Sequence, residues 1–219
     1  LAEQGVNFEF VYTGEVFHNA SGGIEHDTEY LGNLDLTAAI DAEKLLGWGG
    51  GSFYFYVLGN HGGSPSENSG DFQGVSNIDA PNALKLYEAW YQQKFHEDQM
   101  SMLFGLYDLN SEFDSIDTAS LFINSSHGIG PDFSQSGENG PSIFPTTSLA
   151  LRFKYEPKPW LYFQAAVFDG VPGDLDSEHG THIQFEEGDG VLQTAEIGFF
   201  PGAGQENSAY SKLALGVWR

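Results

Sequence analysis

This chain of 219 residues contains no cysteine and very few bases: eight Lys and Arg stand against 31 Asp and Glu, for a formal charge of −23. Without cysteine there is no disulfide scaffold, thiolate metal site or Cys nucleophile, and the absence fits a cell envelope where stray thiols would be oxidised. The acidic excess repels phosphate backbones, which argues against nucleic acid as a partner and against attachment through a basic patch. No run approaches 18 apolar residues, so no helix can span a membrane. The opening LAEQGVNFEF has neither a basic nor an apolar leader region, so any signal peptide is expected to be removed or to lie outside this sequence. What is present is apolar and aromatic: 40% hydrophobic residues with 18 Phe, 10 Tyr and 4 Trp, too much for a disordered chain. A mean hydropathy of −0.29 suits a soluble protein and a transmembrane β-barrel equally, because barrel strands are apolar only on alternate residues.

Periodicity carries the fold. Leu149, Leu151, Phe153 and Tyr155 alternate with Ala150, Arg152, Lys154 and Glu156, which is a period of two. Phe8, Phe10 and Tyr12 alternate with Asn7, Glu9 and Thr13, and Leu34, Leu36, Ala38 and Ile40 with Asn33, Asp35 and Thr37. Further strands are expected near 52–60, 83–95, 99–109, 160–169, 190–200 and 209–218, about nine in all. The stretch MSMLFGLYDL is apolar on both parities, so its facing is left open. Strands of about 9–13 residues exceed the ~5–6 usual in globular proteins and match the ~9–11 of a tilted membrane crossing.

Connections repeat the pattern. Those near 61–82, 110–146 and 170–189 are long, and those at 96–99, 156–159 and 201–209 are short, so the long ones share one rim, as in an outer-membrane barrel. DAEKLLGWGGG at 41–51 is long for a periplasmic turn and reads as one helical turn stopped by glycines. No repeat or linker divides residues 1–219, which are expected to form a single domain.

No catalytic motif stands out: Gly-x-Ser-x-Gly, the P-loop and the dinucleotide fingerprint are all missing. Glu112, Asp114 and Asp117 resemble a glycosidase pair in spacing, but with 31 acids coincidence accounts for them, and the chain is not expected to be an enzyme. His179 and His182 lack a third ligand, and Asp174, Asp176 and Glu178 open like a calcium loop that His179 and Phe185 then break, so neither metal nor cofactor is expected.

Read together, NFEFVYTGEVFHNASGGI (7–24), YLGNLDLTAAIDAEKLLGWGGGSFYF (30–55), LKLYEAWYQQKF (84–95), SLFINSSHG (120–128), AVFDGVPG (166–173) and YSKLALGVWR (210–219) resemble the carbohydrate-selective porins of the OprB family from Gram-negative outer membranes. The resemblance implies a transmembrane antiparallel barrel of about sixteen strands through which sugars diffuse passively. About nine strands here would be its first half; an odd number leaves an unpaired edge that a bilayer does not tolerate, so the rest of the barrel is expected outside this sequence. Sugars, outer-membrane lipid, lipopolysaccharide, the remainder of the barrel and a homotrimer are the partners to consider. Two readings compete: a non-selective structural outer-membrane or surface protein, and a soluble β carbohydrate-binding module. Tyr12, Tyr30, Tyr155 and Trp218, near strand ends, are expected in aromatic girdles.

On the barrel reading, parity turns Glu15, Asn33, Asp35, Glu88, Trp90, Gln92, Arg152 and Lys154 into the lumen, acids on one wall and bases on another, with Trp90 as a stacking platform for sugar rings. The loop from Asn110 to Pro145 is expected to fold inward as a constriction. Phe113, Leu121, Phe122 and Ile123 would lie against the wall, and Asn124, Ser125, Ser126 and His127 would face the channel.

Overall fold

Alternating side chains put every second residue on the same face of a strand, and a sheet built from such strands must have two unlike faces. A computed structural model describes residues 1–173, 181, 183, 187–203 and 211–219. Nine strands among these residues form one antiparallel sheet in strict chain order: β1 Val6–His18, β2 Thr28–Asp41, β3 Gly51–Gly62, β4 Ala83–Phe95, β5 Met100–Tyr107, β6 Ser148–Lys158, β7 Leu161–Asp169, β8 Val191–Phe199 and β9 Leu213–Trp218. The all-β expectation holds, and most strand bounds fall within a few residues of those expected. The segment 42–46 is the expected helical turn, α1 (Ala42–Leu46): Asp41 accepts from the Lys44 N–H at 3.0 Å, and Gly47 ends it at φ 75°.

The register carries one face through the whole sheet. Asn33 lies opposite Asn60, Tyr54 opposite Trp90, Leu103 opposite Arg152, Lys154 opposite Gln164 and Gln164 opposite Glu196. These side chains all fall on the face that the long loops cover. A bulge between Tyr56 and Val57 displaces Tyr87 out of the alternation. The opposite face is apolar and open, with Phe10 68% exposed, Leu151 48% and Leu215 72%. A water-soluble sandwich has the reverse arrangement, whereas an apolar exterior around a polar interior is the arrangement of a membrane barrel.

The buried cluster follows from this inversion. Leu103, Tyr107, Ala150, Ala166 and Phe168 project from the polar-side face of β5–β7, and Leu109, Phe113, Ile129 and Phe133 close over them from the 108–147 connection. The core therefore lies between the inner wall and a loop, not between two sheets. It also fixes the facing of β5, which alternation left open: Ser101 and Leu103 point inward, Met102 and Phe104 outward. Tyr12, Tyr30 and Tyr155 face outward as a girdle requires. Trp218 does not: it pairs with Thr194 on the inner face, and its ring stacks on Phe133 at 4.6 Å. An inward apolar partner decides its side, which position near a strand end cannot.

Candidate channel lining and constriction

The inner face of β1–β4 is acidic and aromatic. Asp35 accepts from the Asn33 amide at 2.6 Å and from the Tyr56 hydroxyl, and Asn60 donates to Asn33 at 2.8 Å. Glu15 accepts from Ser76 in the 63–82 loop at 2.6 Å, so that loop leans onto this wall. Next across the sheet, Trp90 stacks on Tyr54 at 5.1 Å and 25°, and its indole N–H donates to Glu88 at 3.0 Å. Gly105 makes this possible. It stands opposite Trp90 at φ 142°, where a Cβ would lie 2.2 Å from the Ala89 carbonyl and 2.6 Å from Trp90 Cα. Only a residue without a side chain permits so close an approach.

Beyond Trp90 the wall becomes basic, but its charges are matched. Arg152 is 2% exposed, donates to Ser101 and to Gln92 (2.7 Å), and pairs through Nε with Glu112 at 2.8 Å. Lys154 reaches the other oxygen of Glu112 at 3.3 Å, and the Tyr107 hydroxyl also donates to this carboxylate. Burial pushes the Glu112 carboxyl up, but the charges of Arg152 and Lys154 with the Tyr107 hydroxyl outweigh it, so the group lies below the usual glutamate range. Arg152 and Lys154 thus share the wall that parity gave them, and a loop carboxylate neutralises much of its charge.

Glu112 is the first of four consecutive residues that cross the inner face. Its carbonyl accepts from Gln164 at 3.0 Å, Phe113 is buried at 1% exposure, the Asp114 N–H donates to Glu196 at 2.8 Å, and the Ser115 carbonyl accepts from Lys212 at 2.7 Å. The chain is thus strapped from β6 to the start of β9. Further on, the loop departs from expectation. Leu121, Phe122 and Ile123 are exposed at 81%, 53% and 55%, and do not lie against the wall. The Asn124 amide donates to the Gly74 carbonyl at 2.6 Å, Ser125 donates to the Gln73 carbonyl, and the His127 ring stacks on Phe122 at 4.3 Å. This stretch is spent on bridging the two long loops, so its polar atoms are tied to backbone and its apolar side chains are turned away. Deleting 128–141 removes Ile129 and Phe133 from the cluster under the loop. We expect a higher single-channel conductance, and an unchanged value would contradict a loop folded into the lumen.

The sequence reading missed Glu112, Tyr54, Tyr56, Gln164 and Glu196 as inner-face groups. Parity would have placed the strand residues among these; nothing local marks Glu112, whose charged partners Arg152 and Lys154 lie about 40 residues away. The Asp114 carboxylate accepts from the Gly130 N–H at 2.7 Å, and Asp117 is exposed. Asp174, Asp176, Glu178, His179, His182 and Phe185 lie outside the described residues. Among the described residues no three His, Asp or Glu side chains converge as metal ligands.

Comparison with known proteins agrees with this architecture. The model of the family described as "Carbohydrate-selective porin, OprB family" matches residues 25–219. Porin B of Pseudomonas aeruginosa is 26% identical over 218 residues, covering 94% of this chain and 47% of that protein. The high-pH structure of Pseudomonas putida OprB superposes with a TM-score of 0.87 at 23% identity, covering 99% of this chain and 52% of that one. The low-pH structure of the same protein gives 0.61 at 20% identity, with 99% and 56% covered. The chain spans about half the length of these relatives.

Proposed function

The chain belongs to the OprB family of carbohydrate-selective porins, and from that premise we propose that residues 1–219 form the first half of an outer-membrane barrel of about sixteen strands through which sugars diffuse passively. The family is one of channels and not of enzymes. The observation that carries the reading is the inversion of faces, with apolar Phe10, Leu151 and Leu215 outside and Asn33, Gln164 and Glu196 inside, strapped over by the 112–115 segment. A soluble carbohydrate-binding module would not expose the outer set.

In this reading the sugar path runs between the acidic, aromatic wall of β1–β4 and the loop that Arg152 and Lys154 hold. A neutral sugar presents apolar ring faces and a belt of hydroxyls, so it needs aromatic surface beside donors and acceptors, held weakly enough for release. Tyr54 and Trp90 offer the first; Glu15, Asn33, Asp35, Glu88 and Gln92 offer the second. Partners follow from the same reading: sugars inside, lipid and lipopolysaccharide outside, the remaining strands at the two sheet edges, and a homotrimer as one assembly.

Trp90→Ala tests selectivity. Sugar block of ion current in the full-length protein will weaken while open conductance barely changes. Conductance altered with block retained would reject the platform and favour a non-selective structural protein. Sugar-dependent swelling of liposomes carrying the full-length protein tests the wider reading, and swelling indifferent to sugar identity would contradict it.

A further inference from the structure

One polar cluster lies on the wrong face for transport. By register, the outward side chains of β1–β3 are Val6, Phe8, Phe10, Tyr12, Val16 and His18, then Thr28, Tyr30, Leu34, Leu36, Ala38 and Ile40, then Phe53, Phe55, Val57 and His61. No Asp, Glu, Lys or Arg is among them, in a chain with 31 acids. Within this apolar field Tyr12 Oη lies 2.5 Å from Tyr30 Oη and 3.0 Å from His61 Nε2, and the Tyr12 and His61 rings stack at 5.9 Å and 17°. Two paired glycines clear the space. A Cβ on Gly14 would lie 2.8 Å from Tyr30 Oη, and one on Gly32 would lie 2.3 Å from His61 Nε2 and 2.4 Å from Tyr12 Oη. Three polar rings are thus laid flat against the outer wall on the rim side of the apolar band.

Counting protons shows what the cluster offers. Two phenols and a neutral imidazole carry three polar hydrogens, and the two contacts consume two. Whichever way the bonds run, one hydrogen is left to donate outward, and no carboxylate on this face competes for it. Just below, Phe10, Leu34 and Leu36 present apolar surface. A ligand that suits both halves has an anionic head and a hydrocarbon tail, and no carboxylate on this face stands against it.

We propose that Tyr12, Tyr30 and His61 form a site for the phosphate of an outer-leaflet lipid headgroup, with an acyl chain along Phe10, Leu34 and Leu36. This rests on the barrel reading above. The full-length protein in nanodiscs doped with bisphosphorylated lipid A, or with the same lipid lacking phosphates, provides the test, with retained lipid counted by native mass spectrometry. Wild type will retain the phosphorylated form about tenfold better, the worth of a hydrogen bond to a charged acceptor. The triple variant Tyr12→Phe, Tyr30→Phe and His61→Phe keeps the rings, removes all three polar hydrogens and will lose that preference, with wild-type conductance preserved. Four results would overturn the site: equal retention of both lipids by wild type, undiminished preference in the triple variant, displacement by inorganic phosphate alone, or a changed subunit count with lipid preference intact. Absence of channel conductance in wild type would instead overturn the barrel reading.

Discussion

Glu112→Ala will release the loop from the inner wall and raise single-channel conductance more than any other single substitution among the described residues. Among the described residues the change leaves Arg152, at 2% exposure, with only Ser101 and Gln92 as hydrogen-bond partners, and removing one member of a buried pair costs about 3 kcal/mol. Lys154 loses the same acceptor, and keeps a 3.7 Å approach to Glu156 and its place over the Tyr162 ring at 5.5 Å. Proteolytic cleavage within 112–146 in protein already inserted in bilayers will accelerate in parallel. Unchanged conductance and unchanged cleavage would mean that the apolar cluster alone holds the loop. Acid should act in the same direction. The Glu112 pKa is lowered by folding, so its contribution is present above the unfolded glutamate value of about 4.3 and is lost as pH falls through the lower folded value. The conductance difference between wild type and Glu112→Ala should therefore persist through pH 5 and close only at more acid values; a difference already lost between pH 7 and 5 would contradict the assignment.

The second large effect is on assembly. Leu151 is 48% exposed on the outer face and Arg152 is buried on the inner one, one residue apart. A charge at Leu151 would sit in hydrocarbon, at a cost of about 2–4 kcal/mol near the midplane. Leu151→Arg will reduce the yield of heat-resistant, membrane-inserted protein sharply. Arg152→Leu will insert, but with a loosened loop and a conductance shifted the way Glu112→Ala shifts it. Equal insertion of the two variants would reverse the facing of β6.

How far the sequence could be read depends on what covered each residue. The alternation of β6 was legible because one face meets lipid and the other meets polar groups. That of β5 was not, because Leu103 and Tyr107 face inward and still meet apolar atoms, those of Phe113 and its neighbours. Where a loop turns an inner wall into a core, both parities become apolar and period two disappears. The same loop hid Glu112 among 31 carboxylates, since its importance comes from Arg152 and Lys154 and not from any local spacing. Trp218 illustrates the opposite failure. Its place near a strand end suggested an outer girdle, while Phe133, far off in sequence, draws it inside. Turns were easier, because Asp41 and Gly47 carry their own capping chemistry wherever they stand.

Strict chain order in the sheet also sets the tempo of folding. Each strand pairs only with its neighbours in sequence, so the sheet can grow one hairpin at a time without long-range search. Closing a hairpin costs chain entropy that rises with the logarithm of the connection. Four residues separate β4 from β5 and forty separate β5 from β6, a tenfold ratio that adds ~2 kcal/mol to the second closure. The joining of β5 to β6, across the longest connection between neighbouring strands, is accordingly the slow step among the hairpins of this sheet. The strap across the inner face is made from the very residues that delay its wall.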